Sequence, residues 1–321
     1  MAEKVTVDVA GAAMGGAARY VAELRCYLSR TGRGDVRLIG TNQRVSPQWL
    51  LRRELYRPPS TRRIALNNVG FVTPRGERWT LLGNALHFLT EAETANLDPS
   101  LSRAVRRQAA VVRIAARRSD VLVAPCTAMA DRVIHAMPSV RGRVVVRPHP
   151  ISAGSVPAGR RDPLILCPVL FAPYKGMNER LTELTAALRD CGDPSIRVAV
   201  TAEHADLSPA IASDPHIETR GRMDHQALRG EWARSRAIYY PTALESFGYP
   251  LAEARASGRC VIALDTPQNR EIAGPALCGF IQGDHDSLVR AVQTALTAHV
   301  VPDPSPFDPD AYFNWMLGYR T

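Results

Sequence analysis

The sequence predicts an α/β protein built from two Rossmann-like, doubly wound domains that face each other across a cleft. Apolar runs of strand length alternate with helical patterns over most of the 321 residues. The runs are continuously apolar, which is typical of parallel strands covered on both faces. The alternation restarts after a Pro- and Gly-rich stretch at 147–159, which we interpret as a linker.

These patterns place the elements and the domain limits. In the first half, strands are predicted at 5–10, 36–39, 64–66, 79–82, 121–125 and 143–146, and helices near 16–30, 101–118 and 127–136. In the second half, strands are predicted at 164–170, 196–201, 237–241 and 260–264, and helices near 177–189, 224–234, 250–257 and 284–297. We expect domains at 1–153 and 154–300. The C-terminal segment, 301–321, is expected to cross back to the first domain and to end in a short docked helix.

The charge balance favours an anionic ligand. Forty Lys and Arg residues face 31 Asp and Glu residues, which gives a net charge of +9. The excess is spread along the chain, and no basic motif with interleaved aromatic residues points to nucleic acid. A phosphorylated small molecule is therefore the expected partner, and nucleic acid is not.

The remaining composition points to a cytoplasmic protein. No apolar run approaches the ~18 residues that cross a membrane. The N-terminus passes directly into a strand pattern, so no signal peptide is expected. The six cysteines are scattered without a CxxC pair, as expected for reduced thiols in a packed core.

The segment PTALESFGYPLAEARASG, residues 241–258, carries Glu245 and Glu253 eight positions apart around a Gly-Pro helix start. Pro250 suits the first helical position. Glu253, in the first turn, can accept hydrogen bonds from a ribose diol, and Glu245, ahead of the helix, can bind sugar hydroxyls. Backbone amides at a helix N-terminus favour a phosphate, and here they belong to Phe247, Gly248 and Tyr249. The pattern fits a nucleotide sugar, but it also fits a plain strand–turn–helix in which Glu253 only stabilises the helix dipole.

This segment resembles the Glu-x7-Glu signature of the retaining GT-B glycosyltransferases of family GT4, the glycosyl transferases group 1. Its flanks, ASGRCVIALDTPQNREIAG and GRMDHQALRGEWARSRAIYY, are similar to the family's too. The resemblance is strong over roughly 160–280 and looser in the first half. It implies that Glu245 holds the donor sugar and Glu253 the ribose. Further donor contacts are implied for Gly221, Arg222, Met223, Ser246, Phe247, Gly248 and Tyr249.

The stretch LFAPYKG, residues 170–176, supplies Lys175, which matches the family lysine that grips the donor diphosphate. The alternative interpretation is that Lys175 is an ordinary surface lysine. The family usually has an arginine five residues earlier, where this chain has Leu170. The sequence leaves open whether another residue replaces that arginine, and the candidates are Arg19, Arg147 and Arg222.

Two features of the first half complete the site. GAAMGGAARYVAEL places Gly15 and Gly16 before a helix, and it resembles the family's Gly-Gly loop near the donor phosphate. The glycines do not form GxGxxG, and no acidic residue ends the second strand, which argues against a dehydrogenase. His87, in LLGNALHFL, is a candidate contact to the reacting sugar or the acceptor, although a lone histidine is more often structural.

The helix at 101–118 carries arginines along one face: Arg103, Arg106, Arg107, Arg113 and Arg117. Such a face can dock on anionic lipid. The apolar residues of this helix are expected to pack on the sheet, so we favour a solvated basic face over peripheral membrane contact.

The sequence thus predicts a retaining glycosyltransferase with a nucleotide-diphosphate sugar donor. The compact first domain favours a small hydroxyl or amine acceptor, such as a natural-product aglycone, a cyclitol or a sugar. No metal and no other cofactor are expected, because no Asp-x-Asp pair lies beside the diphosphate site. The alternatives are an isomerase of the nucleotide-sugar 2-epimerase type and a non-catalytic nucleotide-sugar-binding protein.

Overall fold

The computed structural model describes residues 5–13, 15–55, 60–95, 99–152, 162–168 and 175–319. The chain divides into two compact units. Unit 1 comprises Met1–Ser152, Glu245–Phe247 and Pro306–Thr321, and unit 2 comprises Ala153–Leu244 and Gly248–Ser305.

Unit 1 contains a six-stranded parallel sheet. Its strands are β1 (Val5–Asp8), β2 (Val36–Ile39), β3 (Arg62–Ala65), β4 (Glu77–Leu81), β5 (Val121–Ala124) and β6 (Val144–Val146), in the order β2-β1-β3-β4-β5-β6. Its helices are α1 (Gly15–Thr31), α2 (Pro47–Leu55), α3 (Glu91–Ala95), α4 (Pro99–Ala116), α5 (Thr127–Ala136) and α12 (Pro309–Leu317). The sheet therefore has the parallel form that its apolar strands predict.

Unit 2 repeats this plan. Its strands are β7 (Leu164–Cys167), β8 (Arg197–Val200), β9 (Ile217–Thr219), β10 (Ala237–Tyr240), β11 (Cys260–Leu264) and β12 (Leu277–Phe280), in the order β12-β11-β10-β7-β8-β9. Its helices are α6 (Met177–Asp190), α7 (Pro209–Ala212), α8 (His225–Arg234), α9 (Tyr249–Ser257), α10 (Pro267–Ala273) and α11 (His285–Thr297). All five strand pairs are parallel, and β10 and β11 are buried along their whole length.

The C-terminal helix α12 packs in unit 1 against α1. Phe313 and Met316 are fully buried, and the Tyr27 hydroxyl donates to the Asn314 side chain over 2.6 Å. Tyr20 meets Phe313 edge-on with ring centroids 5.8 Å apart. Aromatic pairs of this geometry add roughly 0.5–1.5 kcal/mol beyond the area they bury, so the aromatic tail of the sequence serves the core of unit 1.

Six of the elements listed above were not predicted from the sequence: α2, α3, α7, α10, β9 and β12. The two strands are short and lack a clean apolar run, since β9 reads IET and β12 reads LCGF. The four helices have four to nine residues, too few for a clear helical period. Their hydrogen-bonding partners and neighbours in the fold, rather than their own pattern, define them.

Both units contain a switch point, where the strand order reverses. In unit 1 it lies between β1 and β3, and in unit 2 it lies between β7 and β10. The loops that leave two such strands diverge to opposite faces of the sheet and leave a crevice at its carboxyl edge. Each unit therefore has one preferred place for a ligand. No helix in the described part of the chain is both long and apolar enough to cross a membrane.

Candidate functional site

A cavity of about 350 Å³ opens at the switch point of unit 2. Its volume lies within the ~300–1,000 Å³ of small-molecule pockets. Four segments line it: the loop before α6, the first turns of α6, the loop after β10 and the loop after β12. The lining residues are Lys175, Gly176, Glu179, Arg180, Glu183, Thr242, Ala243, Leu244 and Gln282.

One of the two cations that line this pocket, Lys175, lies at the start of a helix, and the other is Arg180. Lys175 is half-buried and directly precedes Gly176, the N-cap of the 14-residue helix α6. Gly176 has a φ of +57° and no side chain to cap the first amides of the helix. Free amides and the positive end of the dipole favour an anion at this point. Lys4 and Lys175 are the two lysines of the chain, so a lysine here is a marked departure from its general use of arginine.

Thr242 adds a polar group that the motif analysis missed. It follows β10, is only 5% exposed, and its hydroxyl has no hydrogen-bond partner among the described residues. A buried hydroxyl without a partner costs roughly 1–3 kcal/mol. A ligand group in the pocket would remove that cost. Nothing in the local sequence, YYPTAL, distinguishes this threonine from an ordinary loop residue.

The predicted base-contacting loop, Gly221–Met223, follows β9. Gly221 has a φ of +69°, which glycine adopts without strain, and its amide donates to the Ala202 carbonyl over 3.0 Å. The Arg222 amide donates to the Glu203 carboxylate over 3.1 Å. Glu203, after β8, is a further residue that the sequence analysis missed, and it holds this loop at the carboxyl edge of the sheet.

The helix after β10 differs in detail from the prediction. It begins at Tyr249, so Pro250 is its second residue, and Glu253 is its fifth residue and lies beyond the first turn. Gly248 is the N-cap with a φ of +81°. A Cβ there would lie 2.8 Å from Leu251 Cδ1 and 3.2 Å from Tyr240 Cε1. Only glycine therefore fits this helix start.

The other half of the Glu-x7-Glu segment belongs to unit 1. The Ser246 hydroxyl donates to the Gly83 carbonyl over 2.8 Å, and the Ser246 carbonyl accepts from the Cys126 thiol over 3.3 Å. Phe247 is buried, with its ring centroid 5.0 Å from that of His149. Glu245 is half-buried. The structure thus anchors Glu245, Ser246 and Phe247 in the same unit as Gly15, Gly16 and His87.

His87 lies in a 3₁₀ turn, Ala85–Phe88, after β4. The side chain is 7% exposed, and burial lowers its pKa, as does the nearby charge of Arg113, while a hydrogen bond with Gln108 opposes them. Its Nδ1 has no partner among the described residues, and its carbonyl accepts from Arg113 Nε over 3.0 Å. The imidazole is therefore neutral at neutral pH and can offer one ring nitrogen as an acceptor or a donor.

Gly15 and Gly16 are the first two residues of α1, and both are exposed. Gly15 has a φ of +60°, so this helix start also depends on glycine. The remaining predicted donor contacts, Lys175, Gly221, Arg222, Met223, Gly248, Tyr249 and Glu253, lie in unit 2.

Leu170 lies outside the described residues, so the departure at that position has no structural account here. Of the arginines that could replace the family residue, Arg147 donates to the Ala311 carbonyl over 3.1 Å and lies over the Trp315 ring. Arg19 pairs with Glu23 over 3.1 Å. Arg222 is exposed on the loop after β9. Both contacts of Arg147 serve the docking of α12.

The switch point of unit 1 contains a buried ion pair that the sequence analysis did not anticipate. Asp8, at the end of β1, is fully buried, and Arg53 Nη1 of α2 donates to it over 2.6 Å. Trp49 Nε1 and the Asn67 side chain donate to the same carboxylate over 3.2 and 2.9 Å. The other arm of Arg53 donates to the carbonyls of Val69 and Gly70. An acid within the strand VTVD was the available signal, because a buried charge requires a partner.

Within the described ranges, no group of three or more His, Cys, Asp or Glu side chains is placed to hold a metal ion. The expectation that the protein needs no metal stays a prediction.

Solved structures share this architecture at low sequence identity. The UDP-forming α,α-trehalose-phosphate synthase of Burkholderia xenovorans is 12% identical with a TM-score of 0.65, over 99% of this chain and 98% of its own. Sucrose-phosphate synthase from Thermosynechococcus elongatus is 14% identical with a TM-score of 0.64, over 98% and 96%. Anabaena Alr3699/HepE is 13% identical with a TM-score of 0.63, over 98% and 95%.

Other structural neighbours are much longer. The chain spans about half the length of two TarM structures, 50% of one from S. aureus and 51% of the other. No curated protein sequence matches the chain. Residues 162–298, which form most of unit 2, match the family model described as glycosyl transferases group 1. With two doubly wound parallel sheets and this match, the chain has the GT-B glycosyltransferase fold, and its residues 162–298 are similar to the glycosyl transferases group 1.

Proposed function

We propose that this protein is a retaining glycosyltransferase that moves a sugar from a nucleotide-diphosphate sugar to a hydroxyl or amine group of a small acceptor. The observation that carries the proposal is the pocket of unit 2. There Lys175, the uncapped start of α6 and Thr242 line one cavity in the segment that matches the family, and the Thr242 hydroxyl has no partner among the described residues. Cations, helix amides and hydroxyls are the groups that bind a diphosphate.

Structural neighbours support the choice of donor. Anabaena HepE is described in complex with UDP and glucose. The pneumococcal O-GlcNAc transferase GtfA is described with UDP and GlcNAc. Trehalose-phosphate and sucrose-phosphate synthases, which are named for sugar phosphate products, have the same fold. We therefore propose UDP-sugars as the first donors to test and small sugars as the first acceptors.

The proposed reaction breaks the bond between the anomeric carbon and the diphosphate oxygen. A bond from that carbon to the acceptor oxygen or nitrogen forms on the same face of the sugar. The acceptor proton passes to the departing phosphate oxygen, so the protein needs no strong base. Lys175 and the first amides of α6 neutralise the charge that develops on the leaving group.

The other roles follow the family resemblance. Glu253 binds the ribose diol, Glu245 binds the donor sugar, and the loop Gly221–Met223 contacts the base. His87 contacts the acceptor or the reacting sugar. No metal is included, because Lys175 and the helix amides supply the positive charge.

The scarcity of lysine offers a direct test of the donor site. An amine-acylating reagent modifies Lys4, Lys175 and the terminal amine, and peptide mass spectrometry reports each separately. Saturating UDP, GDP or ADP should protect Lys175 and leave Lys4 as an internal control. If all three nucleotides leave both lysines equally reactive, the diphosphate does not bind beside Lys175.

Product analysis then separates this proposal from the alternatives. Incubation with a nucleotide sugar and an acceptor panel should release the nucleoside diphosphate and form a glycoside with the donor's anomeric configuration. A changed donor without an acceptor would indicate an isomerase. Protection of Lys175 with no product from any donor would indicate a binding protein.

A further inference from the structure

Helix α4 of unit 1 has an unusual charge pattern. Residues 99–118 contain six arginines and no aspartate or glutamate. The inner side of the helix packs in the core as expected: Val105, Ala109, Val112 and Ala115 are all buried. Arg113 turns inward and donates to the His87 carbonyl. The sequence therefore predicts both the apolar packing of the inner side and the overall positive charge of the helix.

The outer side does not match a purely solvated basic face. Ile114 is 61% exposed and Val111 is 49% exposed. At helical spacing, Ile114 lies on the same side of α4 as Arg107, seven residues before it. Arg117 and Arg118, three and four residues after it, follow in the turn that ends the helix. All three arginines are exposed. We call this surface, consisting of Arg103, Arg107, Ala110, Val111, Ile114, Arg117 and Arg118, the α4 face.

The chemistry of the α4 face matches an anionic bilayer surface. Arginine stems lie along apolar material while their guanidinium groups contact phosphates. A central isoleucine and valine can then enter the boundary between headgroups and acyl chains. The face contains no aromatic residue on which a nucleic acid base could stack. A second copy of the face would oppose arginine to arginine, so self-association through it is disfavoured.

We propose that the α4 face docks the protein on membranes that contain anionic lipid. The inference is independent of the sugar-transfer proposal, because it rests on a surface that contains none of the candidate site residues. It reverses the preference that the sequence supports, because the sequence does not show which apolar residues of α4 remain in water.

The test is flotation with lipid vesicles. Wild-type protein should float with phosphatidylcholine vesicles that contain a quarter phosphatidylglycerol, and not with phosphatidylcholine alone. Binding should fall steeply between ~0.1 M and ~0.5 M NaCl, because the shorter Debye length screens exposed charges. Ile114→Asp should abolish flotation, and Ile114→Trp should increase it. A thermal melt like that of the wild type shows that the gain with Trp comes from the folded protein.

A matched pair of double variants separates the α4 face from overall charge. Arg107→Gln with Arg118→Gln should lower the partition coefficient about 25-fold, since each arginine near an anionic surface contributes roughly fivefold. Arg25→Gln with Arg229→Gln has the same net charge and alters exposed arginines outside the face, on α1 and α8. It should lower partition less than ~2-fold. Thermal melts should show both variants folded.

Three outcomes would overturn the proposal: no flotation of the wild type with anionic vesicles, equal losses for the two double variants, or no response to either change at Ile114. Stronger binding to a DNA duplex than to vesicles, lost in the Arg107/Arg118 variant, would also reject it and reassign the α4 face to nucleic acid.

Discussion

The carboxyl edges of the two sheets have the same topology, but one holds a buried ion pair and the other a cavity. In unit 1 the switch point between β1 and β3 is filled by the protein itself, because Asp8 and Arg53 pair there in full burial. In unit 2 the switch point between β7 and β10 holds a cavity of about 350 Å³ that Lys175 and Thr242 line. A doubly wound sheet thus provides a place for a ligand, and the side chains decide whether the place is open.

The two edges also differ in how far the protein itself supplies hydrogen-bond partners to their buried polar groups. Asp8 in unit 1 accepts from Arg53, Trp49 and Asn67, so its carboxylate has internal donors. The Thr242 hydroxyl in unit 2 has no partner among the described residues. A closed edge should therefore respond to mutation mainly in stability, and an open edge mainly in ligand binding.

The largest effect is expected at the closed edge. Asp8→Ala leaves the Arg53 guanidinium buried without its carboxylate, which should cost ~3–5 kcal/mol in the free energy of unfolding. Urea unfolding followed by circular dichroism measures it. Replacing both partners, Asp8→Leu with Arg53→Met, should recover much of the loss, since the pair is costly to desolvate.

The control for this experiment is Asp310→Ala, which removes an ion pair with Arg30 on the surface of the same unit. It should leave the unfolding midpoint nearly unchanged. A loss as large as that of Asp8→Ala would mean that burial does not distinguish the two pairs.

At the open edge, Lys175→Ala should affect binding instead. Loss of one charge-assisted contact should weaken whichever of UDP, GDP and ADP binds by ~10–100-fold. The free energy of unfolding should change by less than ~0.5 kcal/mol, because Lys175 is half-buried at a loop. Calorimetric titration measures the first quantity and urea unfolding the second. A large loss of stability with intact nucleotide affinity would show that this edge is closed as well.

A change of pH tests the packing around His149 in unit 1. His149 is buried between Tyr20 and Phe247, and burial lowers its pKa to about 3. The unfolded chain binds a proton near pH 6.5, while the folded protein does not until about pH 3. Stability should therefore fall as pH drops below 6.5, by ~2 kcal/mol at pH 5.

Two variants check the source of this pH dependence. His149→Gln should flatten the stability curve between pH 7 and pH 5, although it lowers stability overall. His299→Gln changes an exposed histidine and should leave the slope as in wild type. The same slope in all three proteins would assign it to other groups.

The smallest effect concerns Thr242, and it has opposite signs for stability and binding. Thr242→Val removes a buried hydroxyl that has no partner in the part of the chain the structure describes, so the free protein should gain ~1 kcal/mol. Nucleotide affinity should fall about fivefold if the hydroxyl contacts the ligand. Thr201→Val is the matched control, since the Thr201 hydroxyl donates to the Cys167 carbonyl and its removal should destabilise unit 2. Destabilisation by both variants would mean that Thr242 is already satisfied.

Much of the fold could be predicted because buried parallel strands are continuously apolar. Strands such as β10 and β11, with the sequences AIYY and CVIAL, can be recognised from the sequence without any knowledge of their neighbours. The strand β9, read as IET, and the helix α2 do not, because their stability comes from contacts distant in sequence. The extra residue in the first turn of α9 has a local origin: Gly248, and not Pro250, sets the helix start.

The candidate site was predictable only where a residue type carries its own signal. Lys175 and Gly248 are of this kind, since a lysine before a helix and a glycine before a proline are recognisable in the sequence. Glu203 and Thr242 are not, because an acid or a threonine after a strand is common. Glu203 is marked by the hydrogen bond that it accepts from the Arg222 amide. Thr242 is marked by a buried hydroxyl for which the described ranges offer no partner.

By itself, the sequence determined the two parallel sheets, the helix starts that require glycine and the basicity of α4, since each depends on local backbone preference or on spacing along one element. Only the tertiary structure decided that Arg53 closes one sheet edge, that Lys175 and Thr242 line the open one, and that Ile114 stays in water among arginines. Burial and pairing depend on residues that are far apart in the chain. The pattern of residues along one element does not show which of these distant residues lie close together in space.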